Sequence, residues 1–236
     1  YDCRNNADFL ARTSAEVLSA NGIKVHLFTE LRPTPELSFA VRELGCKSGI
    51  VITASHNPKE YNGYKVYGDD GSQIVSPFDV QLINKVRALS MEEVNFNFNE
   101  DLIFPLGDEM DQAYIDRLKT VSLSSEVVKA QAELPIVFTG IHGTGSVMVP
   151  KALKAFGFTN VMTVSSQDVV DGDFPTVHSP NPEEPAALEQ AILMAKEKGA
   201  ELVMGTDPDA DRVGIAIPNK TGEFVLLNGN QTGCLL

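Results

Sequence analysis

Tryptophan is absent from the 236 residues, and cysteine occurs only as Cys3, Cys46 and Cys234. The three are far apart, odd in number and free of any C-x-x-C pair. That argues against a disulfide framework and a cysteine zinc site. Cationic side chains are scarce as well: 19 Lys and Arg stand against 32 Asp and Glu, a formal charge of −13. Nonspecific nucleic-acid binding needs clustered cations to release counterions, so no nucleic-acid partner is expected. A small anionic substrate is still allowed, because a local basic pocket can sit on an acidic protein. No apolar run approaches the roughly 18 residues of a membrane span, and Tyr1-Asp2-Cys3-Arg4 is not the start of a signal peptide. A cytoplasmic setting without a membrane partner is therefore expected.

What is present is a globular composition, 43 % hydrophobic and 22 % charged. At roughly 150 residues per domain the length suggests one large domain or two modest ones. Strand and helix patterns alternate. Helical spacing runs from Ala7 to Asn21, and Thr34-Pro35 opens a second helix, with proline in its first turn. Strands are expected at Ile23–Phe28, Gly49–Ala54 and Gly63–Tyr67. The segment Pro77–Leu89 has Phe78, Leu82, Ile83, Val86 and Leu89 along one side of a helix. Met91–Asp108 is polar and mixed, and is expected to be a connector or irregular edge. The alternation then restarts: a helix over Asp111–Val121, a strand at Leu134–Thr139, a helix over Ser146–Phe156, a strand at Val161–Val164 and a helix over Pro185–Lys198. Strands at Leu202–Gly205, Val213–Pro218 and Glu223–Leu227 follow, with a helix from Gln231. Two consecutive α/β units joined near residues 108–130 are implied. Both ends look abrupt, Leu236 lying within an apolar run, so a fragment of a longer protein is expected.

Thr206-Asp207-Pro208-Asp209-Ala210-Asp211-Arg212 is the sharpest chemical signal. Carboxylates at every second position of an extended segment project to one side. Their mutual repulsion is offset by a bound cation, and an all-oxygen ligand set suits Mg²⁺ or Mn²⁺. The loop follows an apolar strand, where open α/β sheets place their ligands. An EF-hand is excluded: counting from Asp207, its sixth and twelfth positions hold Arg212 and Pro218 instead of Gly and Glu. An exposed acidic turn and an aspartyl-phosphate phosphatase with Asp207 or Asp209 as nucleophile stay open.

Thr53-Ala54-Ser55-His56-Asn57-Pro58 puts a serine on a turn after a buried strand, where an attacking group belongs. In an extended turn neighbouring side chains point apart, so His56 is expected to meet a substrate and not to act as base for Ser55. A serine-stabilised turn stopped by Pro58 explains the same residues. Lys65 stands in an otherwise uncharged strand and either reaches a cleft or lies on a solvated face. Gly140-Ile141-His142-Gly143-Thr144-Gly145 lies between a strand and a helix, where glycines allow close approach to an anion at the helix start. It is not a P-loop.

These pieces, in this order, resemble the α-D-phosphohexomutase superfamily, which includes phosphoglucomutase and phosphomannomutase. Thr53-Ala54-Ser55-His56-Asn57-Pro58 is similar to the family's phosphoserine loop, and Asp207-Pro208-Asp209-Ala210-Asp211-Arg212 to its magnesium loop. Tyr1-Asp2-Cys3-Arg4 is similar to its first strand end, whose arginine faces the active site. Asn62-Gly63-Tyr64-Lys65 and Pro180-Asn181-Pro182-Glu183 look closest to the phosphoglucomutase and phosphopentomutase-like branch.

The resemblance implies two consecutive three-layer α/β/α domains with mixed, mostly parallel sheets. They would span residues 1–122, without the N-terminal strand, and 123–236. The family's third and fourth domains, with their Gly-Glu-x-Ser-Gly and Arg-x-Ser-Gly-Thr type loops, have no counterpart here. It implies a mutase of hexose 1-phosphate and hexose 6-phosphate, glucose before mannose or pentose, with glucose 1,6-bisphosphate as intermediate and activator. Without the missing domains this stretch is not expected to turn over. Ser55 would carry the phosphoryl group and join Asp207, Asp209 and Asp211 around Mg²⁺. Lys65 would manage a proton or stabilise charge. His56 and Arg4 would position the reacting phosphate, with Asn57, Arg212 and His142 also facing the phosphosugar. A non-catalytic phosphosugar-binding fragment is the remaining alternative.

Overall fold

A computed structural model describes residues 1–235; Leu236, where the sequence placed the end of an apolar run, lies outside the described residues. The first half carries α1 (Ala7–Ala20), β1 (Val25–Phe28), α2 (Thr34–Glu43), β2 (Gly49–Ile52), β3 (Tyr64–Tyr67), α3 (Phe78–Ala88), β4 (Ile103–Leu106) and α4 (Asp108–Lys119). The second carries α5 (Ser125–Ala130), β5 (Ile136–Thr139), α6 (Gly145–Phe156), β6 (Val161–Thr163), α7 (Glu189–Lys198), β7 (Leu202–Thr206), β8 (Val213–Pro218), β9 (Phe224–Leu227) and α8 (Gly229–Leu235). Helix ends follow local chemistry. Pro35 occupies the first turn of α2, where its missing N–H costs nothing. Gly199 closes α7 at φ 69°, a left-handed conformation that glycine adopts without strain.

The second half is built on a five-stranded sheet of order β6-β5-β7-β8-β9. β5 pairs in parallel with β6 and β7, while β7–β8 and β8–β9 are antiparallel. Every residue of β5 is buried. Val137 packs with Ala191 and Ala195 of α7. Its neighbour Phe138 lies beside Gly145 at the start of α6. Adjacent strand residues face opposite sides, so one helix covers each face and three layers result. The first half has two shorter pairings, β1 with β4 in parallel and β2 with β3 antiparallel. Residues 1–2 run between them: Asp2 N–H donates to the Ile52 carbonyl, and Arg32 N–H to that of Tyr1.

The sheets are mixed as expected, but with three parallel and three antiparallel pairings among the described residues they are not mostly parallel. The elements also depart from the sequence expectation. Within the stretch expected to be a connector or irregular edge, Ile103–Leu106 forms β4. It is four residues long and contains Pro105, which donates no backbone hydrogen bond and favours an edge. Pairing with β1 makes it a strand. α3 forms where its periodicity predicts, yet none of its residues is buried, and Phe78 is 65 % exposed. In α1 the buried residues are Ala7, Ala15 and Ser19, while Phe9 is exposed. Periodicity reveals a stripe, but another element has to cover it.

A charged cluster lies between α2, α4 and α6. Arg32 Nε donates to Asp111 Oδ1 at 2.7 Å, and Lys151 Nζ to Asp111 Oδ2 at 2.9 Å. Glu36 lies fully buried beside them, with neither carboxyl oxygen meeting a donor among the described residues.

Candidate active site

β2 delivers the chain into Thr53–Pro58 at the edge of the seam between the two halves. The buried Thr53 hydroxyl donates to Asp2 Oδ2 at 2.6 Å and accepts the Ser55 N–H at 2.9 Å. Ser55 itself is left-handed, at φ 52°. The turn is therefore not extended, and the expectation that Ser55 and His56 point apart does not hold. His56 Nδ1 stands 3.3 Å from Ser55 Oγ. Burial, with the positive field of Arg212, holds the His56 imidazole below its ordinary pKa. It is thus neutral near pH 7.

Arg4 is buried beneath this turn. Its Nη1 donates to the Pro58 and Tyr61 carbonyls at 2.9 and 2.8 Å. Its Nη2 donates to those of Ser55 and Asn57 at 2.7 and 2.5 Å. Its guanidinium lies 5.4 Å from the centre of the Phe174 ring. The terminal nitrogens are spent on four loop carbonyls, so Arg4 shapes the loop and does not reach a phosphate as expected. Asn57 is exposed and gives its carbonyl to Arg4.

The acidic loop follows β7. It closes as a turn: Ala210 N–H donates to the Asp207 carbonyl at 3.0 Å, Ala210 takes φ 53°, and Arg212 N–H donates to Asp207 Oδ1 at 3.0 Å. The carboxylates converge through this turn and not through the alternation of an extended segment. One oxygen from each of Asp207, Asp209 and Asp211 lies within 4.8 Å of the others. Asp207 and Asp209 are fully buried and Asp211 is exposed. Burial first, then the neighbouring charges of Asp209 and Asp211, pushes Asp207 up to about 8. Asp209 Oδ1 is buried without a hydrogen-bond partner among the described residues. Converging oxygens, mutual repulsion and an orphaned carboxylate oxygen are what a hard divalent cation would satisfy.

The two loops meet. Ser55 Oγ donates to Asp207 Oδ2 at 2.8 Å. Lys65, on β3, donates from Nζ to Asp209 Oδ2 at 2.9 Å and lies 3.5 Å from Asp211. Burial works against its charged form, but the Asp209 carboxylate, helped by Asp211, holds the ammonium above the ordinary lysine pKa. Lys65 is thus a cation at the cluster, not a proton acceptor near neutral pH. Arg212 is exposed beside the loop. A cavity of about 610 Å³ between α1 and the β1–β4 pair includes none of these residues.

Two expectations are corrected here. The glycine-rich turn approaches protein backbone and not an anion. Thr144 donates from its N–H and its hydroxyl to the Pro208 carbonyl, at 2.9 and 3.0 Å. A Cβ on Gly143 would lie 2.5 Å from Pro208 Cα. His142 is 1 % exposed. Its Nδ1 lies 2.7 Å from the Val169 carbonyl, which can only accept, so Nδ1 carries a proton; Nε2 is hydrogen-bonded with Thr176 Oγ1 at 2.8 Å. Both ring nitrogens are used internally, and no substrate reaches them. Sequence reasoning missed Asp2, Thr53 and Thr34. Asp2 and Thr53 sit inside quoted motifs as buried polar residues. Thr34 pairs with a residue 175 positions away and leaves no local signal.

A serine-bearing turn set against a carboxylate triad, on paired α/β units, defines the class: an α/β protein with a serine–carboxylate centre fit for a divalent cation. Residues 1–93 match the family model for phosphoglucomutase/phosphomannomutase, alpha/beta/alpha domain I, and residues 112–222 match domain II. The chain belongs to the phosphoglucomutase/phosphomannomutase family. It is 42 % identical over its whole length to a Haemophilus influenzae protein provisionally named phosphomannomutase, and 38 % to a Staphylococcus haemolyticus phosphoglucomutase. It covers 48 % and 43 % of those proteins, about half the length of the curated relatives it matches. The crystal structure of a Thermus thermophilus protein, provisionally named phosphomannomutase, superposes over 92 % of this chain and 47 % of that one, with TM-score 0.77 and 29 % identity. No described helix is long and apolar enough to cross a membrane.

Proposed function

We propose that this chain carries the phosphoryl-transfer centre of a hexose-phosphate mutase, with Ser55 as the phosphoryl carrier and Asp207, Asp209 and Asp211 as ligands to Mg²⁺. The observation that carries the proposal is the 2.8 Å bond from Ser55 Oγ to Asp207, which sets a hydroxyl against a carboxylate cluster. Magnesium at this loop supplies neutralisation of the charge that develops on a transferring phosphoryl group. Ser55 is half-buried, whereas Asp207 and Asp209 are enclosed, which favours serine over aspartate as the group open to attack.

In the proposed reaction the bond from Ser55 Oγ to phosphorus breaks, a bond from a free sugar hydroxyl oxygen to phosphorus forms, and the hydroxyl's proton passes to Ser55 Oγ. The product is a hexose 1,6-bisphosphate. After the sugar turns over, its other phosphoryl group returns to Ser55 and a hexose monophosphate leaves. Arg4 keeps the serine turn in shape. Lys65 stabilises negative charge beside Asp209 and Asp211. Neutral His56, within 3.3 Å of Ser55 Oγ, meets an oxygen of the group carried there. Glucose is the proposed sugar, with mannose and pentose phosphates as the alternatives within the family.

Phosphosite mapping by mass spectrometry, after incubation with glucose 1,6-bisphosphate and Mg²⁺, tests this. An acid-stable phosphate on Ser55 is expected. A hydroxylamine-labile phosphate on Asp207 or Asp209 would indicate a phosphatase. Phosphosugar binding without any covalent phosphate would indicate a binding module.

A further inference from the structure

We propose that Thr34 is a positioning residue of the acidic loop, deciding which oxygen of Asp209 is presented to a cation. The inference rests on Asp207–Asp211 being the cation site. Thr34 opens α2 in the first half of the chain and is buried. Two bonds tie it to Asp209 in the second half. Its backbone N–H, one of the first-turn donors that a helix cannot satisfy itself, donates to the Asp209 carbonyl at 2.9 Å. Its hydroxyl donates to Asp209 Oδ2, also at 2.9 Å. Lys65 Nζ donates to that same oxygen at 2.9 Å.

A carboxylate oxygen has two lone pairs in its plane, and these two donors occupy both on Oδ2. Oδ1 remains, buried and without a partner among the described residues. The two oxygens of a free carboxylate are equivalent by rotation; two donors on one of them remove that equivalence. Lys65 cannot do this alone. It sits on a flexible four-carbon stem and also leans toward Asp211 at 3.5 Å. Thr34 is short, buried and anchored through its backbone to the same residue. It holds the main chain of Asp209 with one group and the side chain with another, and leaves a single oxygen for the cation.

The test is Mn²⁺ titration of the full chain, followed by the loss of the free-ion paramagnetic resonance signal, with no turnover required. Thr34→Val keeps the shape and removes the hydroxyl. It is expected to weaken Mn²⁺ binding roughly tenfold, the scale of one lost hydrogen bond to a charged group. Thr34→Ser keeps the hydroxyl and is expected to stay within about twofold of the parent. Circular dichroism reports folding, and Thr34→Ala replaces the valine variant if valine disturbs it. Equal affinity in the folded hydroxyl-free variant overturns the proposal. So does an equal loss in Thr34→Ser, or unfolding of both hydroxyl-free variants, since each makes Thr34 a packing residue. Asp209→Asn separates the two levels. If the parent shows no saturable site, or one indifferent to Asp209→Asn, the cation site itself is refuted. If the site depends on Asp209 but not on the Thr34 hydroxyl, only the role of Thr34 falls.

Discussion

Ser55 Oγ donates to Asp207 Oδ2 at 2.8 Å across 152 positions of sequence. Each residue ends a different sheet strand's excursion, Ser55 after β2 and Asp207 after β7. Neither loop alone makes a centre; their meeting brings a hydroxyl to a site that repels its own negative charge. Ser55→Ala is expected to abolish covalent phosphate uptake from glucose 1,6-bisphosphate while far-UV circular dichroism stays native. Uptake at an unchanged level by the alanine variant would remove serine as the carrier.

Asp209 is fully buried and held through one oxygen by Lys65 and Thr34. Asp209→Asn preserves its size and removes the charge. Divalent-cation affinity is expected to fall by about a hundredfold or more, beyond what outer-shell partners contribute. Calorimetric titration with Mn²⁺ measures it. An isotherm matching the parent's would mean the loop does not ligate through Asp209.

Arg4 holds four loop carbonyls and lies against Asp2, with 3.4 Å between Nε and Oδ2. Arg4→Met fills similar space but leaves Asp2 as an uncompensated buried charge. Unfolding free energy is expected to drop by about 3–5 kcal/mol, the scale for breaking one side of a buried pair. Amide hydrogen exchange should accelerate most over residues 55–61. Exchange that rises evenly along the chain, with no focus on that turn, would deny Arg4 a local role.

His142 is expected to act on stability and not on the reaction. His142→Ala removes two buried hydrogen bonds and opens a cavity, for a cost of about 2–4 kcal/mol. Urea unfolding measures the loss, and Mn²⁺ affinity should stay close to the parent's. Weakened metal binding at undiminished stability would return His142 to the active site.

The cluster between α2, α4 and α6 predicts a pH dependence. Burial first, then the Asp111 carboxylate, pushes Glu36 up to about 8, against the pull of Arg32 and Lys151. In the unfolded chain it titrates near its ordinary 4.5. Between these values the folded chain binds more protons than the unfolded one, so stability falls as pH rises from about 4.5 to about 8. The contribution is complete below that window. Asp111 moves the other way: burial opposes its charge, but the hydrogen bonds from Arg32 and Lys151 hold it below its ordinary 3.8, outside the window. Asp207, also raised to about 8, contributes a fall of the same sign over this window, so Glu36→Gln is expected to make the profile shallower without flattening it, and to exceed the parent at pH 8 by about 4 kcal/mol. Urea melts at pH 5 and pH 8 decide it; parallel profiles for the two proteins would rule out Glu36 as the titrating group.

Much of this was legible along the chain. Ala191 and Ala195 of α7, with Leu188 just before it, face inward as their spacing implied, because α7 packs on β5 and β7. The stripe on α3 is equally regular and stays exposed, because no described element covers it. β4 was invisible because four residues with a central proline carry little strand signal until β1 pairs with them. The convergence of Asp207, Asp209 and Asp211 was foreseen through alternation, but a left-handed Ala210 and the bond closing the turn produce it.

The sequence by itself determined the class of elements, the two motifs and the chemistry those motifs can hold. Spacing, turn residues and charge repulsion are local quantities, written within a dozen positions. Only the tertiary structure decided which groups face one another. It turned Arg4 and His142 inward, placed Lys65 on Asp209 instead of on a solvated face, and set Thr34 beside a residue 175 positions away. A hydrogen bond depends on distance and direction in space, and chain separation carries neither.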